Sequence, residues 1–137
     1  MVAILGVNLY GLTNYHVHFQ KEAWRDAAAL VARDYRDGDA IVFCAGYLDI
    51  PFSYYFRDSG LQPRKFHVDS TLDPTELNNI LTNASGSAPR VWLVYGHQSL
   101  ADPAGAIPRA LAARQVRQSQ ADFYAVRVEL YAAAGSK

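Results

Sequence analysis

The chain has 137 residues, 50% hydrophobic and 19% charged, which is enough to bury one core in an ordinary folded domain. Thirteen Lys and Arg against thirteen Asp and Glu leave no net charge, which argues against a nucleic-acid footprint, since that needs a basic face. Cys44 is the only cysteine, so there is no internal disulfide and no cysteine-built zinc site.

Met1 to Leu12 form an apolar leader without Lys or Arg, so the charged start of a signal peptide is missing. The leader is also shorter than the roughly 20 apolar residues of a full membrane span. Three readings of residues 1–15 stay open on composition. They are the last turns of a membrane helix with Tyr10 and Tyr15 at interface level, a first strand built on Val2, Ile4 and Val7, and an amphipathic helix packed on the domain. Residues 16–137 read as a single soluble α/β domain.

Lys21 to Arg36 predicts a helix, because Trp24, Ala28, Val31 and Tyr35 recur at steps of three and four on one face. Asp37-Gly38-Asp39 ends it, Gly38 being suited to a left-handed backbone. Ala40–Ala45 is short and continuously apolar, as expected of a strand covered on both faces. Cys44 inside that run behaves as a small buried hydrophobe rather than a reactive thiol. Gly46 breaks the strand, and Pro51 opens a short helix from Phe52 to Asp58 that Gly60 closes.

Lys65–Val68 predicts a second strand. A third helix starts with Asp73 as N-cap, Pro74 at the first helical position and Glu76 two further on, with Leu77, Ile80 and Leu81 facing inward. Residues 83–88 read as a small-residue loop, and Asn83-Ala84-Ser85 within it fits a glycosylation sequon. Arg90–Tyr95 predicts a third strand ended by Gly96. After the loop 99–105, a helix is expected from about Ile107 or Pro108 to Gln118, with Arg109, Arg114 and Arg117 on a solvated face. In Asp122–Ala132 apolar residues alternate with a partly charged set, which marks a half-exposed strand. Strands alternating with helices predict a three-layer α/β fold. Its sheet is expected to be mainly parallel, with about four to five strands, helices on both faces and the last strand at an edge.

Open α/β sheets place ligands beyond the carboxyl ends of their strands. Here that rim comprises Gly46 to Asp49, Asp69 to Thr71 and Gly96 to Ser99. Neither Gly-containing turn has the spaced glycines of a dinucleotide fingerprint or a P-loop, so no cofactor is expected. Gly96-His97-Gln98-Ser99-Leu100 also departs from the nucleophile-elbow pattern. His97 with Ser99 and one of Asp49, Asp69 or Asp102 is the only hydrolase-like grouping available, and a loop histidine capping the next turn is the plainer reading. His16 and His18 have no carboxylate pair at ligand spacing, so no metal site is expected. The tyrosines stand out more. Tyr47, Tyr54 and Tyr55 crowd the segment after the first strand with Phe52 and Phe56, and such rings can stack on a sugar, meet lipid headgroups or dock another domain. About half of these rings are expected in the core, Phe52 and Tyr55 or their helical neighbours.

The runs Lys21-Glu22-x-Trp24-Arg25-x-Ala27-Ala28, Gly38-Asp39-x-Ile41 and Gly46-Tyr47-x-x-Ile50-Pro51-Phe52-x-Tyr54-Tyr55 resemble the C-terminal soluble region of bacterial polytopic membrane glycosyltransferases. These are the family 39, protein mannosyltransferase-like enzymes that use polyprenyl-phosphate sugars. Arg90-Val91-Trp92-Leu93-Val94 with His97, and Phe123-x-x-Val126-x-Val128-x-Leu130-Tyr131, are similar to later strands of that region. The resemblance covers the chain from about Tyr10 onward. It implies that residues 1–15 are the tail of a membrane helix and that the domain lies on the periplasmic side of a bacterial inner membrane. It also implies that the partner is the membrane-embedded portion of the same enzyme, with a polyprenyl-phosphate sugar or glycan acceptor as ligand. The family's catalytic acids lie in an early loop between membrane helices that this sequence does not match, so none is carried over and the isolated chain is expected to be inactive. Tyr47, Tyr54, Tyr55 and His97 are the candidate substrate-binding residues. The alternatives are a small hydrolase-like enzyme using His97 and a non-catalytic docking domain.

Overall fold

The computed structural model describes residues 23–69 and 71–135. The leader at 1–15 lies outside the described residues, as do His16 and His18. Among the described residues, no helix is long and apolar enough to cross a membrane.

Helix α1 spans Trp24–Asp34 and buries Trp24, Ala28 and Val31 of the predicted stripe together with Ala27, whereas Tyr35 falls outside the helix and is half-buried. The helix stops before Tyr35, whose backbone is extended, so Gly38 (φ 92°) serves the turn into the next strand rather than the helix end. Strand β1, Ala40–Cys44, is buried throughout. A single 3-10 turn, Gly46–Leu48, leads into α2, Asp49–Phe56, and left-handed Gly60 (φ 73°) follows a second such turn at Arg57–Ser59. Strand β2 is Arg64–Val68. Helix α3, Pro74–Ser87, starts as predicted, with the Asp73 carboxylate accepting from the backbone N–H groups of Thr75 and Glu76. It runs on through the residues read as a loop, because Ala84 is buried on its inner face. The sequon therefore sits on a helix.

Strand β3, Arg90–Gly96, is followed by a single helical turn α4, Gln98–Ala101, and by α5, Ala106–Ala112. The expected continuation of that helix to Gln118 is overturned. Val116–Phe123 is strand β4, which turns through Tyr124 and Ala125 into β5, Val126–Ala132. Residues 116–120 are exposed on both sides, so they carry no apolar alternation to announce a strand. The two-residue turn also lacks the Asn-Gly or Gly pattern that signals a hairpin, and Ala125 adopts φ 61° without a glycine.

The five strands run in the order β2-β1-β3-β5-β4. β2, β1 and β3 are parallel, whereas β5 is antiparallel to both β3 and β4. The sheet is thus mixed rather than mainly parallel. β5 is an interior strand, and β4 takes the edge expected for the last strand. With a strand on each side, β5 is buried at all positions but one, hence its half-exposed reading fails.

Helices cover both faces, as the three-layer reading expects. On one face α1 and α2 pack Trp24, Val31, Phe52 and Phe56 against Ile41, Phe43, Trp92, Val94 and Val128. On the other, α3 and α5 pack Leu81, Ile107 and Leu111 against Val42, Val91, Leu93 and Tyr131. Each large apolar side chain buried this way contributes about 1.5–3 kcal/mol.

The amino end of the sheet is fixed by a buried polar staple. The Asp39 carboxylate accepts from Arg90 Nε at 3.0 Å, Arg90 Nη2 at 2.5 Å and Trp92 Nε1 at 2.9 Å. Arg90 also donates to the Asp34 carbonyl at the end of α1, at 2.6 Å. These bonds join helix, turn and strand at one point. Gly38-Asp39 and Arg90-Val91-Trp92 therefore serve the scaffold.

Candidate functional site

The order β2-β1-β3 creates a switch point between β1 and β3. The chain leaves β1 toward the α1–α2 face, and it leaves β3 toward the α3–α5 face, where Ala101 is buried. Such a divergence opens a crevice at the carboxyl ends of the strands, where open α/β sheets hold ligands. Tyr47 comes from one side of it and His97 from the other. The Tyr47 hydroxyl and His97 Nδ1 are 2.7 Å apart, with ring centroids at 5.7 Å. Gly46 and Gly96, the residues just before this pair, are closely packed against other neighbours. A Cβ on Gly46 would sit 3.0 Å from His67 Cβ, and one on Gly96 would sit 3.1 Å from the Ala125 carbonyl.

Along the turn Gly46–Leu48 and α2 the rings divide between core and surface. Phe52 and Phe56 are buried, whereas Tyr47, Tyr54 and Tyr55 are 52%, 59% and 37% exposed and Ile50 is 77% exposed. Of the rings expected in the core, Phe52 is buried, and the second place goes to the helical neighbour Phe56 in place of Tyr55. Tyr55 lies outside because the inward positions of this helix fall on Phe52 and Phe56, four apart. Tyr54 and Tyr55 meet edge to face at 5.0 Å, and each carries a guanidinium over its ring, Arg57 at 4.6 Å and Arg25 at 5.5 Å. The four candidate residues thus form two pairs, Tyr47 with His97 and Tyr54 with Tyr55.

Each of the three acids offered as partners for His97 is held elsewhere. Asp49 accepts from Lys65 Nζ at 2.8 Å, from the Ser53 hydroxyl, and bonds His67 Nε2 at 2.9 Å. Partial burial pushes the Asp49 carboxyl up, but the bonds from Lys65, Ser53 and His67 together outweigh it and hold the group below the ordinary carboxylate range. Asp69 accepts from the backbone and hydroxyl of Thr71. Asp102, buried, accepts from the Tyr95 hydroxyl at 2.9 Å and from the N–H groups of Ala106 and Ile107, which anchors α5. The Tyr95 hydroxyl is pushed up by burial and by that bond.

The Asp49–Ser53–Lys65–His67 cluster escaped the sequence reading. Its signal was present in two halves: Asp49 and Ser53 lie four apart on a helix, Lys65 and His67 two apart on a strand. Only the parallel register that sets His67 beside Phe43, with their rings stacked at 5.7 Å, brings α2 over that strand. Ser53 donates to the carboxylate rather than to an imidazole, so the cluster ties α2 to β2 and is not arranged as a nucleophile with its base. Cys44 is buried, and burial pushes its thiol up to about 12, in keeping with an inert side chain. Among the described residues, no three His, Cys, Asp or Glu side chains converge as a metal site would require.

Beside the switch point lies a solvent-open cleft of about 400 Å³, between the residues that follow β3 and the β4–β5 hairpin. The hairpin wall had no counterpart in the sequence reading, because the hairpin itself was unrecognised. No protein-family model matches the chain, and no curated protein matches its sequence.

Proposed function

We propose that this chain is an extracytoplasmic accessory domain of a bacterial membrane glycosyltransferase that uses a polyprenyl-phosphate sugar, and that it contributes binding surface rather than catalytic residues. Its partner is the membrane-embedded portion of the same enzyme, and its working face is the rim formed by Tyr47, Tyr54, Tyr55 and His97. The observation that carries this reading is the exposure along the turn Gly46–Leu48 and α2. Among the described residues, four of the seven exposed large hydrophobics are Tyr47, Ile50, Tyr54 and Tyr55. Burying those side chains would be favourable, so their exposure within the one segment 47–55 supports a contact role for it. Exposed tyrosines offer an apolar ring and a hydroxyl together, which matches the two-sided chemistry of a sugar, although Arg57 and Arg25 already lie over the Tyr54 and Tyr55 rings.

The test is a triple Tyr47→Ala, Tyr54→Ala, Tyr55→Ala variant in the enzyme encoded by the complete reading frame. Sugar transfer should fall by about tenfold or more, which is about 1.4 kcal/mol of lost stabilisation, with the melting temperature of the domain nearly unchanged. Full transfer by that variant would remove the working face, and a reading frame without upstream membrane helices would remove the partner.

A further inference from the structure

The cleft beside the rim is of a size that takes a small ligand. His97, Gln98 and Ser99 form one wall, and Asp122, Phe123 and Arg127 the other. The left-handed backbone of His97 (φ 50°) turns the chain out of β3, and Gln98 and Ser99 stand exposed after it. The fixed charge on the far wall is balanced. Arg127 Nε donates to Asp122 Oδ1 at 2.7 Å, and Arg127 Nη1 lies 3.8 Å from the buried Glu129 carboxylate. Asp122 also accepts from the Gln120 amide at 2.8 Å. The bonds from Arg127 and Gln120 keep the Asp122 carboxyl ionised to lower pH than usual. A phosphate entering here would meet that carboxylate and an already committed guanidinium. A neutral ring of hydroxyls would meet no such repulsion. It would find donors and acceptors in Gln98 and Ser99, further acceptor capacity on Asp122, and the half-buried ring of Phe123 for its C–H face.

We infer that this cleft binds a single neutral pyranose unit, so that a sugar ring, and not the phosphate of a lipid-linked donor, sits between His97 and the hairpin. The inference deepens the proposed glycan-contacting role and rests on it. The test is a titration of the nitrogen-15-labelled full chain with the methyl glycosides of glucose, mannose and galactose, and separately with inorganic phosphate, followed by amide chemical shifts. At least one glycoside should give saturable shifts at Gly96–Ser99 and Asp122–Arg127 in the millimolar range, and phosphate should give none. Ser99→Phe, which fills the cleft from an exposed position, should weaken binding about tenfold or more, whereas Arg33→Ala on the surface of α1 should leave it unchanged. If Ser99→Phe does not fold, as judged by its melting curve, Gln98→Ala decides the point by the same weakening in direction. Shifts confined to α2 would overturn the cleft assignment and leave the proposed role standing. Shifts with phosphate but no glycoside would overturn the neutral ligand. No shift with any glycoside would overturn the inference, while the triple tyrosine variant still decides the role.

Discussion

Truncating Asp39 would leave the Trp92 indole N–H buried without its acceptor and the Arg90 guanidinium buried without its counter-charge, with only the Asp34 carbonyl to bond. Breaking a buried pair from one side costs about 3–5 kcal/mol, because the remaining charge is uncompensated. Asp39→Ala is therefore expected to lower the urea-unfolding free energy by that amount. A loss below about 1 kcal/mol, the worth of an exposed pair, would show the staple to be dispensable. Asp49 makes a different prediction. Its carboxyl is held below its ordinary range in the fold, so its contribution is present above the unfolded-state value, near 3.9, and is lost as the pH falls through the folded-state value. Asp49→Asn should flatten the acid limb of stability against pH, from about pH 5 downward. An acid limb of unchanged slope would exclude that role. Both residues could be named from the sequence, but their partners could not. Asp39 was read as part of a helix stop, and Asp49 as an acid for His97. Each finds its partner across the sheet or from a neighbouring strand, at a separation that local pattern does not encode.

Elements whose signals are local were the ones the sequence could specify. Helix α3 is the clearest case: its cap, its Pro and its inward leucines all lie within nine residues, Asp73 to Leu81. Asp73→Ala should cost about 1 kcal/mol, read as a lowered melting temperature, whereas Asp73→Ser should restore most of it. Equal stability of Asp73→Ala and the parent would mean that packing of Leu81 and Ala84 alone holds the helix start. The β4–β5 hairpin is the opposite case. β4 is polar on both sides, and its bulge between Arg117 and Ser119 breaks any period of two, so the chain there resembles a solvated helix end. Missing that one strand displaced the edge of the sheet in the prediction, reversed the burial of β5 and concealed one wall of the cleft.

At the scale of the whole molecule, composition and alternation were sufficient for an α/β domain with helices on both faces, but not for the change from parallel to antiparallel pairing at β5. The rim was also legible in outline, since a switch point requires only that β1 and β3 be neighbours. What could not be read was which side chains would meet there. The Asp39–Arg90–Trp92 staple lies at the amino end of the sheet, and Tyr47, His97 and the cleft lie at the carboxyl end. Anchorage and the proposed binding residues thus occupy opposite poles of one slab. Side chains at the carboxyl-end pole can therefore change without retuning what keeps the slab closed, and a randomised library confined to that pole should retain a high proportion of folded members.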